Sequence, residues 1–456
     1  MSIRRMRLLC PNGHLGFAPL KPGRFQAGVE MHPDVILADS GSDDIGPVPL
    51  GTDTSASPLE WQKHDLEQML LAARKLQVPL IVGSAGDTGS NSRVDMYVRL
   101  IEELADKHRL PEFKVGSFYS EVPVEALRQR LHRGEAIDGL DGRPPLTTSD
   151  LDRTSRVVAV AGIHPYVKLL DEGADVIIGG RSSDSVIFAA PMIRAGFPEA
   201  NAYLLGKLME CASFCAEPYA AKESVMGEVS DDDVRVTALH PSQRCTVASV
   251  AGHAMYERSN PYYEYVAGGM LDMSCCSYEQ ASEKTTRVTG AKFTRADPVM
   301  VKLEGSGSLG ERYVGIASVR DPYTIDNIDQ VIGWARDQVR ERFGDDGYEL
   351  HYNVYGKNGV MGETEPIKQA CHELCLIVQG VAPSQEMAKE LTMTATRQLF
   401  YARLPEVKGT AGGVAFTLDE VLHASPAHTW TLNHVMTVSS PLELFPTRLS
   451  TAGVKR

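Results

Sequence analysis

The stretch that decides the fold class is Gly173–Pro191, which reads Gly-Ala-Asp-Val-Ile-Ile-Gly-Gly-Arg-Ser-Ser-Asp-Ser-Val-Ile-Phe-Ala-Ala-Pro. Its β-branched run Val176–Ile178 ends at two glycines, and apolar residues at helical spacing follow from Val186. This order predicts a buried parallel strand, a glycine turn and a helix with a polar first turn. Open α/β sheets bind ligands beyond the carboxyl ends of such strands, where helix N-termini present free N–H groups.

Two charged residues, Arg181 and Asp184, occupy this predicted turn. An arginine there can bind a carboxylate or a phosphate through two parallel hydrogen bonds. Alternatively, Asp184 caps the helix and Arg181 pairs with a neighbouring acid. This stretch alone leaves both interpretations open.

Two earlier stretches have the same order of residues. Val35–Ala38 runs into Asp-Ser-Gly-Ser, and Pro79–Val82 runs into Gly-Ser-Ala-Gly-Asp-Thr-Gly. Three such strand ends on one sheet would meet around one crevice. We therefore expect a polar site built from Asp39, Ser40, Ser84, Asp87, Arg181, Ser182 and Asp184.

These turns resemble the acyclic terpene utilisation (AtuA) family. The motifs that carry the resemblance are Asp39–Ser42, Gly86–Gly89, Gly180–Pro191, His372–Leu374, Thr410–Gly412, Asn433–Met436 and Pro441–Phe445. The resemblance implies a role in the breakdown of branched acids through coenzyme A thioesters, with lyase or hydratase activity. Many relatives carry or accompany a small companion domain. Because this chain ends soon after Phe445, it resembles the form without the fused domain, and any companion would have to be a separate subunit.

Bulk composition limits the classes of function. At 456 residues the chain exceeds what one hydrophobic core usually serves, so two or three domains are expected. A net charge of −13 argues against nucleic-acid or anionic-membrane partners, because both need a basic face. No apolar run approaches the ~18 residues of a membrane span, and no signal peptide is recognisable. We expect a cytoplasmic protein that forms a homo-oligomer.

The alternation of strands and helices predicts the fold class. Residues 1–220 are expected to form an α/β domain with a doubly wound, mainly parallel sheet. Residues 221–456 are expected to form an α+β domain with an antiparallel sheet that closes a cleft. Val157–Ala161 is predicted to resume the first sheet, and Gly305–Gly310 to form a hairpin loop. Lys357, in a glycine-flanked turn, is a candidate substrate contact, with a satisfied interfacial residue as the alternative.

The chain contains no sequence signature of a nucleotide-cofactor site. No Gly-x-Gly-x-x-Gly follows a strand with an acid at the right distance, and there is no P-loop, so neither nicotinamide nor flavin is expected. The eight cysteines include Cys371-His-Glu-Leu-Cys375, but no second metal motif accompanies it. Asp39 and Asp87 are hard oxygen ligands suited to Mg²⁺. They predict a magnesium site, although Arg181 could balance their charge alone.

The acid-rich loops and the resemblance together predict a catabolic lyase or hydratase acting on a β-hydroxy or unsaturated carboxylic acid or its acyl-CoA thioester. Arg181 would bind the substrate carboxylate, with Ser84, Ser182 and Lys357 as further contacts, while Asp39, Ser40, Asp87 and Asp184 form the catalytic set. One carboxylate would act as base, provided burial or a like-charged neighbour raises its pKa. Ser40 and Ser182 could donate hydrogen bonds to an enolate oxygen.

Two alternatives remain. One is a hydrolase of an amide or thioester using Ser40, Ser84 or Ser182, none of which lies in a Gly-x-Ser-x-Gly elbow. The other is a non-catalytic subunit that works with a small partner protein. Coenzyme A is expected only as part of the substrate.

Overall fold

The computed structural model describes residues 4–220, 223–407, 413–418 and 420–455. The chain divides into two compact units, the first formed by Met1–Ser306 with Trp430–Arg456 and the second by Gly307–Thr429. The second unit therefore interrupts the first in sequence. Residue 220, where the sequence led us to expect a boundary, lies inside the first unit.

The helices are α1 (Pro22–Glu30), α2 (Val48–Thr52), α3 (Leu59–Leu76), α4 (Asn91–Lys107), α5 (Val124–His132), α6 (Thr148–Asp152), α7 (His164–Asp171), α8 (Asp184–Arg194), α9 (Glu199–Glu210), α10 (Val247–Met255), α11 (Pro322–Asp326), α12 (Ile328–Phe343) and α13 (Gln385–Tyr401). Among the described residues, no helix is both long enough and apolar enough to cross a membrane.

The strands are β1 (Arg5–Cys10), β2 (Val35–Gly41), β3 (Leu80–Asp87), β4 (Phe113–Phe118), β5 (Asp138–Gly139), β6 (Arg156–Ala159), β7 (Val176–Ile178), β8 (Val225–Ser230), β9 (Val234–Ala238), β10 (Tyr263–Val266), β11 (Gly269–Asp272), β12 (Ser277–Ser282), β13 (Thr285–Thr289), β14 (Lys292–Arg295), β15 (Met300–Val319), β16 (Glu349–Tyr355), β17 (Leu374–Ala382), β18 (Val414–Phe416), β19 (Leu422–Thr437) and β20 (Thr447–Ala452).

The main sheet of the first unit has ten strands in the order β12-β13-β9-β8-β1-β2-β3-β7-β4-β20. Its centre, from β1 to β4, is parallel, and antiparallel strands extend both edges. The predicted parallel α/β fold is therefore confirmed, with β2, β3 and β7 as neighbours.

The central strands are buried on both faces because helices cover each side. Val35 and Leu37 of β2 join one apolar cluster, which includes residues of α8 and α9. Ile36 and Ala38 join a second cluster, which includes residues of α3 and α4. Successive residues of a strand point to opposite faces, and here both faces are packed against apolar clusters. The sequence of each central strand is therefore a continuous apolar run.

Three sequence predictions need correction here. The antiparallel strands expected after residue 220 are present, but β8 pairs along its length with β1, so β8 and β9 extend the first sheet. Strand β6, predicted to resume that sheet, pairs instead with β15. Gly305–Gly310 is not a hairpin loop but part of β15. A Cβ at Gly305 would lie 2.7 Å from the Leu432 side chain, so this glycine permits close packing within a strand.

The second unit is an antiparallel α+β arrangement, as predicted. Within it, β17 pairs with both β15 and β16, and β18 pairs with β15. Its own apolar cluster contains residues of α12 and α13 packed on these strands.

Candidate active site

The candidate site begins where three neighbouring parallel strands end. Asp39 lies near the end of β2, Asp87 ends β3, and Arg181 follows β7. The backbone N–H of Arg181 donates a hydrogen bond to the carbonyl of Gly89 at 3.2 Å. The loops after β3 and β7 are thus joined directly.

Gly89 permits this close approach. Its φ is +64°, and a Cβ there would lie 2.1 Å from the backbone nitrogen of Arg181. Ser84 and Asp87 also have positive φ, at +48° and +74°. Left-handed conformations cost non-glycine residues about 1–3 kcal/mol each and cluster at functional sites. Backbone strain is therefore concentrated in the loop that carries Asp87.

Arg181 is the centre of an ion-pair network. Its Nε donates to Oε2 of Glu304 at 2.9 Å, and its Nη2 donates to Oε1 at 3.4 Å. Its Nη1 lies 3.3 Å from Oδ1 of Asp184. Burial alone would lower the pKa of Arg181, but Glu304 and Asp184 outweigh it and raise that pKa well above its usual value. Arg181 therefore remains charged and orients both carboxylates.

Two members of this network, Glu304 and Lys302, come from β15. Nζ of Lys302 lies 2.9 Å from Oε1 of Glu304 and 3.8 Å from Asp43. Burial alone would raise the pKa of Glu304, but Arg181 and Lys302 lower it to about 2. The Lys302 side chain is 37% exposed, whereas that of Arg181 is 7% exposed. Lys302 is thus the more accessible cation.

Asp39 and Asp184 form a carboxyl pair beside Arg181. Asp39 is 4% exposed, and its Oδ1 accepts hydrogen bonds from the N–H groups of Ser40 and Gly41 at 2.7 and 3.1 Å. Burial and, after it, the charge of Asp184 raise the pKa of Asp39 well above its usual value, against the lowering effect of Arg181. The Asp184 side chain is 42% exposed. Asp39 is therefore a buried carboxyl with a raised pKa that lies beside Asp184, a carboxyl group that solvent can reach.

Asp87 has a different environment. Its Oδ1 accepts from Oγ of Ser57 at 2.6 Å, and its Oδ2 accepts from Nε2 of Gln62 at 3.2 Å. Nε2 of His14 lies 3.5 Å from Oδ1. Burial would raise the pKa of Asp87, but hydrogen bonds from His14 and Ser57 outweigh it and lower that pKa. Asp87 is thus an ionised group that holds the surrounding loops together.

The three candidate serines are fully buried and already have partners. Oγ of Ser40 lies 2.7 Å from the Tyr97 hydroxyl, and Oγ of Ser182 lies 2.7 Å from the Tyr166 hydroxyl. Oγ of Ser84 accepts from the backbone N–H of Ser182 at 3.2 Å. All three hydroxyls therefore stabilise the turns through tyrosine and backbone partners.

Arg181 and Asp184 line a cleft of about 500 Å³ within the first unit. A second group of charged residues also lines this cleft: Lys207 and Glu210 of α9, whose sequence pattern predicts only a packing face, together with Arg258 and Glu264. Nζ of Lys207 pairs with Glu210 and lies 3.9 Å from Glu264, whose carboxylate lies 3.1 Å from Arg258. Burial raises the pKa of Glu210 to about 8, with Lys207 lowering it and Glu264 raising it.

The comparison with protein families bears directly on this arrangement. The model of the family described as acyclic terpene utilisation family protein AtuA matches residues 6–430. The chain belongs to this family. No curated protein and no solved structure matches the chain.

Some expected residues of this AtuA-family chain lie outside the cleft. Lys357 is in the second unit, where its Nζ lies 2.6 Å from Asp329. The Thr410–Gly412 motif lies outside the described residues. Three of the expected motifs lie next to one another at the carboxyl ends of the central strands. They are the loops that carry Asp39 and Asp87 and the turn that carries Arg181.

Three of the four carboxyl oxygens of Asp39 and Asp87, the residues named for Mg²⁺, accept hydrogen bonds from the protein. Both oxygens of Asp87 accept hydrogen bonds from Ser57 and Gln62, and Oδ1 of Asp39 accepts two from the backbone. Among the described residues of this AtuA-family protein, no three His, Cys, Asp or Glu side chains are grouped as metal ligands. The magnesium site stays a prediction.

Proposed function

We propose that this AtuA-family protein is a catabolic lyase or hydratase that removes water from a β-hydroxy acyl compound or adds it to an unsaturated one. The observation that supports it is Asp184, which lines the cleft beside Arg181 and has the buried carboxyl of Asp39 next to it. Such reactions need a base near a C–H bond adjacent to a carbonyl. When the environments of two neighbouring acids give them different pKa values, one commonly acts as the acid and the other as the base.

In the direction of water loss, Asp184 takes the proton from the carbon next to the carbonyl. The electron pair of that C–H bond moves into an enolate, whose oxygen Lys302 stabilises as the accessible cation of the cleft. Arg181 orients Asp184 from 3.3 Å. Asp39 is a positioning residue, because the raised pKa of its carboxyl reduces the repulsion that Asp184 would meet from a second charged acid.

The charge of the cleft favours an acyl thioester over a free acid. Acidic side chains outnumber basic ones among the lining residues, with Asp43, Asp141, Asp184, Glu210, Glu257, Glu264 and Glu304 against Arg181, Lys207, Arg258 and Lys302. A thioester carbonyl is neutral, so its entry avoids the repulsion that a second carboxylate would meet. The volume also suits an acyl chain, with the nucleotide end of coenzyme A remaining at the surface.

Hydrolysis through a serine has weaker support. Ser40, Ser84 and Ser182 are each 0% exposed, and their hydroxyls are bonded to tyrosines, Arg181 or backbone groups. A nucleophilic serine needs both access to substrate and an adjacent base.

The test is incubation of the purified protein with branched 3-hydroxyacyl-CoA and 2-enoyl-CoA compounds, followed by mass spectrometry. Loss or gain of water supports the proposal, and Asp184→Asn is expected to abolish it with the fold retained. Asp171→Asn is the matched control, because Asp171 is exposed and pairs with Arg194 on the surface. Release of free coenzyme A would indicate a hydrolase instead. If the purified protein alone catalyses no reaction, the result would favour the alternative of a non-catalytic subunit that works with a small partner protein.

A further inference from the structure

Helices α8 and α9 approach each other unusually closely at one point. A Cβ at Gly206 of α9 would lie 2.3 Å from the backbone carbonyl oxygen of Ser185, in the first turn of α8. Only glycine fits there. Asp184 precedes Ser185, and Lys207 follows Gly206, so this contact brings the charged residues of α9 to the cleft beside Asp184.

Two charged residues near the C-terminal end of α9 are buried in its apolar part. Lys207 and Glu210 are 5% and 7% exposed, although both line the cleft. Nζ of Lys207 pairs with Glu210 and also lies 4.6 Å from the centre of the Tyr256 ring. Two contacts on one ammonium group hold the Glu210 carboxyl in place at the cleft wall.

Several charged or titratable groups from other elements face Glu210. Burial raises its pKa to about 8, Lys207 opposes that rise, and Glu264 and Asp184 add to it. The surroundings of Glu210 therefore raise its pKa above the usual value, and its carboxyl lines the same cleft as Asp184, which is paired with Arg181. The groups that interact with Glu210 are Asp184 of α8, Lys207 of α9, Cys215, Tyr256 and Glu264 of β10, and Arg258 in turn pairs with Glu264.

We infer that Glu210 is the general acid of the proposed reaction, donating a proton to the leaving hydroxyl group while Asp184 removes the proton from the neighbouring carbon. This inference rests on the proposed function and names the second proton-transfer group that the reaction requires. Nothing in the sequence motifs assigns a role to Glu210 or Lys207.

The step balances without any further reactant. Asp184 gains the proton of the broken C–H bond, and that electron pair becomes the new C=C bond as the enolate collapses. The C–O bond breaks, its oxygen keeps the electron pair, and the proton from Glu210 completes a water molecule. Exchange with water then returns one proton to Glu210 and removes one from Asp184. Hydration is the same sequence reversed.

The test compares Glu210→Gln, Asp184→Asn and the control Glu199→Gln. Glu199 lies on the same helix but pairs at the surface with Arg295. With a branched 3-hydroxyacyl-CoA in D₂O, two events are followed: loss of water, and deuterium exchange at the carbon next to the carbonyl. General-acid removal is expected to slow water loss about 10²–10⁴-fold. Glu210→Gln should therefore lose water elimination but keep deuterium exchange, Asp184→Asn should lose both, and Glu199→Gln should keep both.

The outcomes separate the two proposals. If the wild-type protein catalyses neither event with any substrate, the proposed function fails and this inference falls with it. If the wild-type protein turns over and Glu210→Gln retains its rate, or loses exchange together with elimination, Glu210 is not the general acid. Should Glu210→Gln lower the melting temperature, Glu210→Asp replaces it: its shorter carboxylic acid should slow water elimination while deuterium exchange is kept, and an unchanged elimination rate would overturn the assignment.

Discussion

Asp39 makes stability depend on pH in a way that an exposed aspartate does not. An aspartate in an unfolded chain has a pKa of about 3.9. Burial and Asp184 raise the pKa of Asp39 in the folded protein, so the folded state binds more protons between about pH 4 and that raised value. Stability is therefore expected to fall as pH rises through this window.

Asp39→Asn keeps a neutral side chain at every pH and can still accept from the backbone of Ser40 and Gly41. We expect its melting temperature to fall less than that of wild type as pH rises from about 4 through the range in which Asp39 titrates. Thermal unfolding across pH measures the difference, with Asp171→Asn as the exposed control. Parallel curves for Asp39→Asn and wild type would contradict a raised pKa of Asp39.

The ion pair between Arg181 and Glu304 gives a second prediction about stability at the scale of single residues. Its removal would leave Glu304, with a side chain only 6% exposed, as a buried carboxylate without its bidentate partner. Breaking a buried ion pair in this way typically costs about 3–5 kcal/mol. We expect Arg181→Ala to lower the free energy of unfolding by that order, measured by urea denaturation. Arg342→Ala is the control, because Arg342 and Glu390 are both exposed and should contribute less than about 1 kcal/mol.

The contact between α8 and α9 gives a prediction at the level of elements. Replacing glycine by alanine inside a helix usually stabilises it by about 1 kcal/mol. Gly252→Ala in α10 should show this gain, because no described atom lies within 4 Å of the position that its Cβ would take. Gly206→Ala should instead destabilise the protein, since the new methyl group meets the carbonyl of Ser185. Melting temperatures of the two variants should shift in opposite directions, and equal shifts would show that α8 and α9 separate freely.

Elements also explain what could be predicted from the sequence. Strands β2, β3 and β7 are recognisable locally, because in each an apolar run ends in glycine and small polar residues. Glu304 could not be found in this way, since its place beside Arg181 depends on β15 pairing with β6, far apart in sequence. Lys207 and Glu210 offered a signal that was missed: two charges three residues apart in the apolar part of a helix.

At the scale of the whole molecule, the dependence of activity on a metal ion tests the magnesium site predicted from Asp39 and Asp87. The proposed reaction uses carboxyl groups and Lys302, and Asp87 is occupied by Ser57 and Gln62. We expect dialysis against EDTA to leave both the reaction rate and the melting temperature unchanged. Loss of rate that Mg²⁺ restores would instead support the magnesium site predicted from Asp39 and Asp87.

The last strand of the main sheet has a consequence for synthesis on the ribosome. Strand β20 pairs with β4, yet the whole second unit is translated between them. While that unit is being made, β4 has no β20 to cover its outer edge, and an unpaired edge can recruit strands from other chains. Nascent chains that end before Thr447 are therefore expected to depend on chaperones, and codons that slow translation of the second unit should increase aggregation.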